Sequence, residues 1–221
     1  MGGLDLVDSI AAPEAPKDCQ LCERLVDYRQ ENTVSEPTWF NGAVPSFGDE
    51  DAALLIIGLA PGVTGANRTG RPFTGDWAGD LLYNTLDAFG FSQGTYGKRA
   101  DDGLELVDAM ITNAVRCVPP QNKPVGAEIN ACRPFLASRI SSLPSLKVML
   151  CLGKISHDST VRALGGKLSA HPFGHGSEYM FGNRVLLSSY HCSRYNTNTG
   201  RLTEAMFHTV FARARSLVDT R

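Results

Sequence analysis

Leu54-Leu55-Ile56-Ile57-Gly58-Leu59-Ala60-Pro61-Gly62-Val63-Thr64-Gly65-Ala66-Asn67-Arg68-Thr69-Gly70-Arg71-Pro72-Phe73-Thr74-Gly75-Asp76 carries the clearest fold signal in the chain. It opens with apolar residues that do not alternate with polar ones, the pattern of a strand covered on both faces. It then breaks into a glycine- and proline-rich loop that ends on a carboxylate. Three more unbroken apolar runs follow, at 109–111, 148–152 and 185–187. Helical spacing fills the gaps: Leu82, Leu86 and Phe89, then Ile129, Cys132, Leu136 and Ile140, then Met206 and Val210 beside Phe207 and Phe211. Alternating strands and helices predict an α/β fold, a three-layer α/β/α sandwich around a central four-stranded parallel sheet. Ligands of such sheets bind outside the carboxyl ends of the strands. The polar loops after Gly58, after Asn113 and from His191 leave such ends and are expected to meet in one crevice.

With 221 residues and 43% hydrophobic content, the chain is read as one domain over residues 1–221, with residues 1–17 as a loosely packed tail. No run approaches the roughly 20 apolar residues of a membrane span, and the N-terminus lacks a signal-peptide core, so a soluble intracellular protein is expected. The stretch 90–108 is polar and glycine-rich and reads as a surface excursion. A net charge of -2 does not by itself advertise a polyanion partner. Locally, however, Arg116, Lys123, Arg133, Arg139, Lys147 and Lys154 face only Glu128 over residues 116–154, and Arg194, Arg201, Arg213 and Arg215 form a second basic stretch. A phosphate-compatible face and ordinary solvated helix faces are both compatible with that pattern.

Six cysteines without an export signal point to thiol or metal chemistry rather than disulfides. Cys19 and Cys22 lie three apart near a helix start, and Cys117 and Cys132 are a split second pair. Four thiolates suit an iron-sulfur cluster; zinc and unligated thiols are the alternatives. Cys151, within an apolar run, and Cys192, beside His191, read as core thiols.

The glycine loop is not a P-loop, because Arg71-Pro72 stands where Lys and Ser or Thr would follow Gly70, and it lacks a dinucleotide fingerprint. Phe73 is either a stacking face for a base or a loop residue tucked into core. Asp76 is either the N-cap of the following helix or a carboxylate that orients water.

The run 58–76, the run Asn113-Ala114-Val115-Arg116-Cys117-Val118-Pro119-Pro120-Gln121-Asn122-Lys123-Pro124 and the run His191-Cys192-Ser193-Arg194-Tyr195-Asn196-Thr197-Asn198-Thr199-Gly200-Arg201-Leu202 closely resemble the signatures of the uracil-DNA glycosylase superfamily, specifically its family five, the B type. The resemblance spans nearly the whole chain. It implies a hydrolase acting on N-glycosyl bonds, a monofunctional enzyme that flips uracil and other deaminated or modified bases out of DNA and leaves an abasic site. It implies a structural [4Fe-4S] cluster on Cys19, Cys22, Cys117 and Cys132. It also implies Asp76 and His191 as catalytic residues, and base binding by Gly58, Ala60, Gly62, Phe73 and either Asn113 or Asn122. DNA binding falls to Arg71, Ser193, Arg194, Tyr195, Asn196 and Arg201. The sister family four carries a Glu where this chain has Leu59, which leaves Asp76 as the carboxylate. A monomer acting on nucleoid DNA in a prokaryotic cytoplasm is the corresponding expectation. A cluster- or zinc-stapled nucleic-acid-binding module without catalysis and a hydrolase of free nucleosides are the competing classes.

Overall fold

The computed structural model describes residues 12–220. Eight strands and seven α-helices occur among them: α1 (Glu23–Ser35), β1 (Phe47–Gly48), β2 (Leu54–Gly58), α2 (Ala66–Thr69), α3 (Trp77–Ala88), β3 (Ser92–Gln93), β4 (Glu105–Leu106), β5 (Ala109–Asn113), α4 (Gly126–Ser142), β6 (Val148–Leu152), α5 (Lys154–Ala163), β7 (Glu178–Phe181), β8 (Arg184–Ser189), α6 (Arg194–Asn198) and α7 (Glu204–Asp219). The four apolar runs are the four central strands, parallel in the order β5-β2-β6-β8. The sheet has six strands rather than the expected four, because β1 and β7 add antiparallel edges against β5 and β8. β1 is two residues long, and β7 exposes alternate residues to solvent, so neither carries an unbroken apolar signature.

Side-chain alternation along the strands divides the core in two. Leu54, Ile56, Ile111, Leu150 and Leu187 pack beneath Leu82 and Leu86 of α3 and Phe207 and Phe211 of α7. Leu55, Ile57, Met110, Met149 and Leu186 pack on the opposite face against Leu136 and Ile140 of α4 and Val161 of α5. Each buried Leu or Phe removes enough apolar surface to contribute about 1.5–3 kcal/mol. A third cluster joins Leu25 of α1 to Val115 and Phe135, around the cysteines.

The expected loose tail differs from the structure over its described part. Glu14 bonds Arg116 Nη1 at 2.8 Å and Arg139 Nη2 at 2.6 Å, Ala15 is buried, and residues 1–11 lie outside the described residues. Two buried guanidinium groups flanking one carboxylate hold this segment down. The same pairs take Arg116 and Arg139 out of any phosphate-compatible face over 116–154. Arg116 and Arg139 are buried, Lys147 Nζ donates to the carbonyls of Val218 and Thr220, and Lys154 pairs with Asp158.

The excursion 90–108 contains the β3–β4 pair, and its polar residues reach back beneath the glycine loop. In parallel register, Gly58 stands beside Asn113, so the two loops that follow leave the sheet together.

Candidate active site

Loop 59–65 leaves β2, turns through the short α2 and returns to the sheet top at Phe73. Asn67, fully buried at 0% exposure, donates from Nδ2 to Asn41 Oδ1 at 2.9 Å, and Thr69 Oγ1 donates to the Gly65 carbonyl at 3.1 Å. Gly70 closes α2 at φ +78, a left-handed position suited to glycine. The chain then presents Phe73 at φ +53, an uncommon conformation for a residue with a side chain, and reaches Asp76 at the N-terminus of α3.

Asp76 caps α3: the Gly79 N–H donates to its Oδ1 at 3.0 Å. Its other oxygen lies against glycine backbone, where a Cβ added at Gly65 would fall 2.5 Å from Oδ2 and one at Gly62 3.3 Å away. Those glycines leave the carboxylate its place. Burial raises the Asp76 pKa above its ordinary 3.8, opposed by N–H donation from Gly79 and Ala78.

Across the cleft, His191 stacks on Phe73 with ring centroids 5.9 Å apart and planes 27° apart. Burial pulls the imidazole pKa down to about 4, so it is neutral at pH 7, and its ring nitrogens meet no hydrogen-bond partner among the described residues. Asn113 is 3% exposed, and its amide sits over Gly58 beside the Phe73 ring. That amide makes no hydrogen bond to another described residue and faces the cleft, where its donor and acceptor are open to an incoming group. Asn122 is exposed, in a left-handed turn at φ +57 on the rim.

Asp76, Phe73, Asn113, Asn122, His191, Ala60, Gly62, Ser193 and Arg194 line one cleft with about 1210 Å³ of atom-free space counted to its open mouth. Leu59 lines it too, and Asp76 is the one carboxylate among the described lining residues. Ser193 caps α6, accepting from the Asn196 N–H at 3.4 Å, and Asn196 Nδ2 donates to the His191 carbonyl at 2.8 Å, which ties that loop to the backbone of His191. Tyr195 is 71% exposed, the Arg194 guanidinium lies over the Trp77 ring at 5.1 Å, and Arg201 lies over Tyr190 at 4.8 Å. The final helix is capped by Thr203, whose hydroxyl accepts from the Met206 N–H.

Arg71 stands apart from its expected role on DNA. It is 4% exposed, and its Nη1 and Nη2 each bond Asp102 at 2.7 Å, beneath the loop instead of on a surface. Trp77 lies on the cleft wall, beyond the residues read from sequence; an exposed Trp immediately after Asp76 was the available signal.

These loops place a carboxylate, an aromatic face, an unpartnered amide and a neutral imidazole around one space at the carboxyl ends of a parallel sheet. The model of the uracil DNA glycosylase superfamily matches residues 45–215. The chain belongs to the uracil-DNA glycosylase superfamily. A Type-5 uracil-DNA glycosylase of Thermus thermophilus is 45% identical over 206 residues, covering 90% of this chain and 93% of that protein. A Type-5 uracil-DNA glycosylase of Mycobacterium leprae is 39% identical over 209 residues, covering 90% and 91%. A Type-4 uracil-DNA glycosylase of Pyrobaculum aerophilum is 33% identical over 153 residues, covering 69% and 64%.

A second space lies on the opposite flank of the segment after β5. Cys19, Cys22, Cys117 and Cys132 line it together with Ala15, Leu21, Leu25, Val115 and Phe135, around about 330 Å³ of atom-free space counted out into open solvent. No disulfide forms among the described cysteines. Among the described residues no three Cys, His, Asp or Glu side chains converge on a point that would hold one metal ion. Four thiols set around a space, with Arg29 Nη1 donating to Cys117 Sγ and the Arg116 N–H donating to Cys132 Sγ, each at 3.3 Å, match the donor set of a polynuclear cluster. Cys151 and Cys192, as read from sequence, are fully buried in the core, where burial pushes the Cys151 thiol up to about 12 and raises Cys192 as well.

Proposed function

We propose that this chain is a single-domain, monomeric DNA glycosylase of the cytoplasm that excises uracil and other deaminated or modified bases from DNA. Membership of the superfamily supports the reaction class, and Type-5 relatives aligned over about nine-tenths of both chains support uracil in DNA as substrate. No described helix is long and apolar enough to cross a membrane. The observation that carries the reading is the shared cleft of Asp76, Phe73, Asn113 and His191.

The target nucleotide leaves the stack at a cost of about a few kcal/mol, less for a mispair, and its base enters between Phe73 and the Asn113 amide. Asn113, buried and unpartnered, reads the base edge; Asn122 serves the rim. Cleavage passes through an oxocarbenium-like sugar and a uracil anion, by analogy with glycoside hydrolysis. The Asp76 carboxylate stabilises the cation and orients water, and the neutral His191 offers an N–H to the base oxygen. Each such group contributes on the order of 10²-fold or more. The loop of Arg194, Tyr195 and Asn196 enters the gap left in the duplex, with Ser193 beside it on the DNA and Arg201 near phosphates. A cleft walled by Leu59, Ala60, Pro61 and Val63 supports tolerance of bases other than uracil. Cys19, Cys22, Cys117 and Cys132 would hold a [4Fe-4S] cluster, which supplies a structural staple.

The test is a set of duplexes each carrying one defined lesion, scored for free base and an alkali-labile site. Free uracil from the uracil duplex is the expected result. DNA binding without base release would make the chain a stapled binding module, and cleavage of free deoxyuridine would make it a nucleoside hydrolase.

A further inference from the structure

The turn that carries Phe73 to Asp76 is held from below by an arm of the chain that has no place on the cleft wall. Tyr96 and Asp102 both lie between β3 and β4. The Tyr96 hydroxyl donates to the Phe73 carbonyl at 3.2 Å and accepts from the Gly75 N–H at 3.3 Å, so one atom bridges the peptide groups on either side of Thr74. Burial pushes the Tyr96 phenol up to about 12, and it keeps its proton at neutral pH. Its ring stacks on Tyr83 at 4.3 Å, and the Tyr83 hydroxyl donates to the Pro72 carbonyl at 2.8 Å.

Asp102 grips the same turn through Arg71. The two bonds of 2.7 Å are bidentate, both partners are 4% exposed, and Arg71 Nε donates to Thr74 Oγ1 at 2.8 Å. Asp102 also accepts from the N–H groups of Gly97 and Leu104, which folds the arm around its own carboxylate. From the other side the Phe73 carbonyl is wedged against α3, where a Cβ added at Gly79 would fall 1.8 Å from that oxygen. The left-handed backbone at Phe73 is thus specified from two directions, as strained positions at functional sites must be.

We propose that Tyr96 and Asp102 are positioning residues for base excision: the 94–104 arm sets the tilt of the Phe73 ring against His191 and the aim of the Asp76 carboxylate, without touching DNA. The proposal rests on the glycosylase reading above. A shift of about 1 Å in a reacting group costs up to roughly 10²-fold in rate, whereas binding through the rest of the duplex is indifferent to it. The effect therefore belongs in kcat rather than in KM.

Tyr96→Phe is the cleanest probe, because it keeps the ring on Tyr83 and removes only the bridging hydroxyl; Asp102→Asn tests the second grip. Single-turnover and steady-state kinetics on a uracil duplex, the kcat–pH profile and thermal unfolding are measured beside wild type. The expected result for Tyr96→Phe is a kcat lowered roughly 10- to 100-fold with KM within about threefold of wild type. The acid limb of the kcat–pH profile, to which Asp76 and His191 both contribute, is displaced, and the protein stays folded at assay temperature. Asp102→Asn shows the same kcat-over-KM split. A Tyr96→Phe kcat within twofold of wild type, or a loss accounted for by the unfolded fraction, overturns the proposal while leaving the glycosylase reading intact. A wild-type chain that releases no base overturns both.

Discussion

The cleft and the cysteine-lined space share one segment, the chain that follows β5, and are built in opposite ways. Asn113 faces the cleft, and Cys117, four residues on, faces the thiols. On the cleft side the protein supplies its own supports: the Arg71–Asp102 pair, the Tyr96 bridge, the Asp76 cap and the Asn67–Asn41 bond. On the cysteine side, segments from three distant parts of the chain meet around an apolar space, and the contacts to sulfur are single N–H donors to Cys117 and Cys132. The cysteine side has supports of its own as well, the Glu14 pairs with Arg116 and Arg139 and the Arg24–Glu128 pair, but none of them reaches a sulfur, and it is there that the proposed cluster would add cohesion.

Removing the thiols sets the two sides apart most sharply. Cys117→Ser combined with Cys132→Ser is expected to abolish visible absorbance and bound iron and to cost on the order of 5 kcal/mol, since ligand binding by such sites is folding free energy. That corresponds to a thermal midpoint lower by roughly 10–20 °C. An iron-free double variant that melts with wild type would show that both sides are self-supporting. Gly79→Ala attacks the cleft instead. An added methyl 1.8 Å from the Phe73 carbonyl forces α3 and the turn apart, for an expected loss of about 3 kcal/mol in chemical denaturation with iron content unchanged. Phe73→Ala should lower kcat/KM roughly tenfold, equivalent to about 1.4 kcal/mol, through the lost stacking face, again with full iron content.

The smallest expected effect is a pH dependence. The folded-state pKa of His191, about 4, lies below its ordinary 6.5. Between those values the unfolded chain holds a proton that the folded cleft refuses, so the contribution of His191 to stability is present above pH 6.5 and is lost as pH falls toward 4. Because the ring is partly open to the cleft, solvent damps the full shift, and between pH 7 and pH 5 wild type should lose about 1 kcal/mol more in urea unfolding than His191→Asn. Equal losses would mean that the imidazole is solvated.

The central strands were legible because burial on both faces writes an unbroken apolar run, as at 54–57 and 148–152. β7 was not, since one of its faces meets solvent, and α5 was hidden because it buries Ser156, His157, Ser159 and Thr160 where an apolar stripe would have marked it. In the site, Asp76 and Phe73 stood out through the loop that carries them, and His191 and Asn113 through the family resemblance. The burial of Arg71 is not legible in the sequence, because its charge is visible there but its partner, 31 residues away in an apparent surface excursion, is not. Tyr96 and Asp102 escaped notice for the same reason: their bonds to the turn are long-range and carry no local pattern.

Single-turnover release of uracil by Asp76→Asn, set against wild type on the same duplex, tests the account most directly. The substitution keeps the size of the side chain and an oxygen able to accept from the Gly79 N–H, and removes the charge. The expected rate is lower by on the order of 10³-fold with duplex affinity and iron content unchanged; a rate equal to wild type would remove Asp76 from the chemistry.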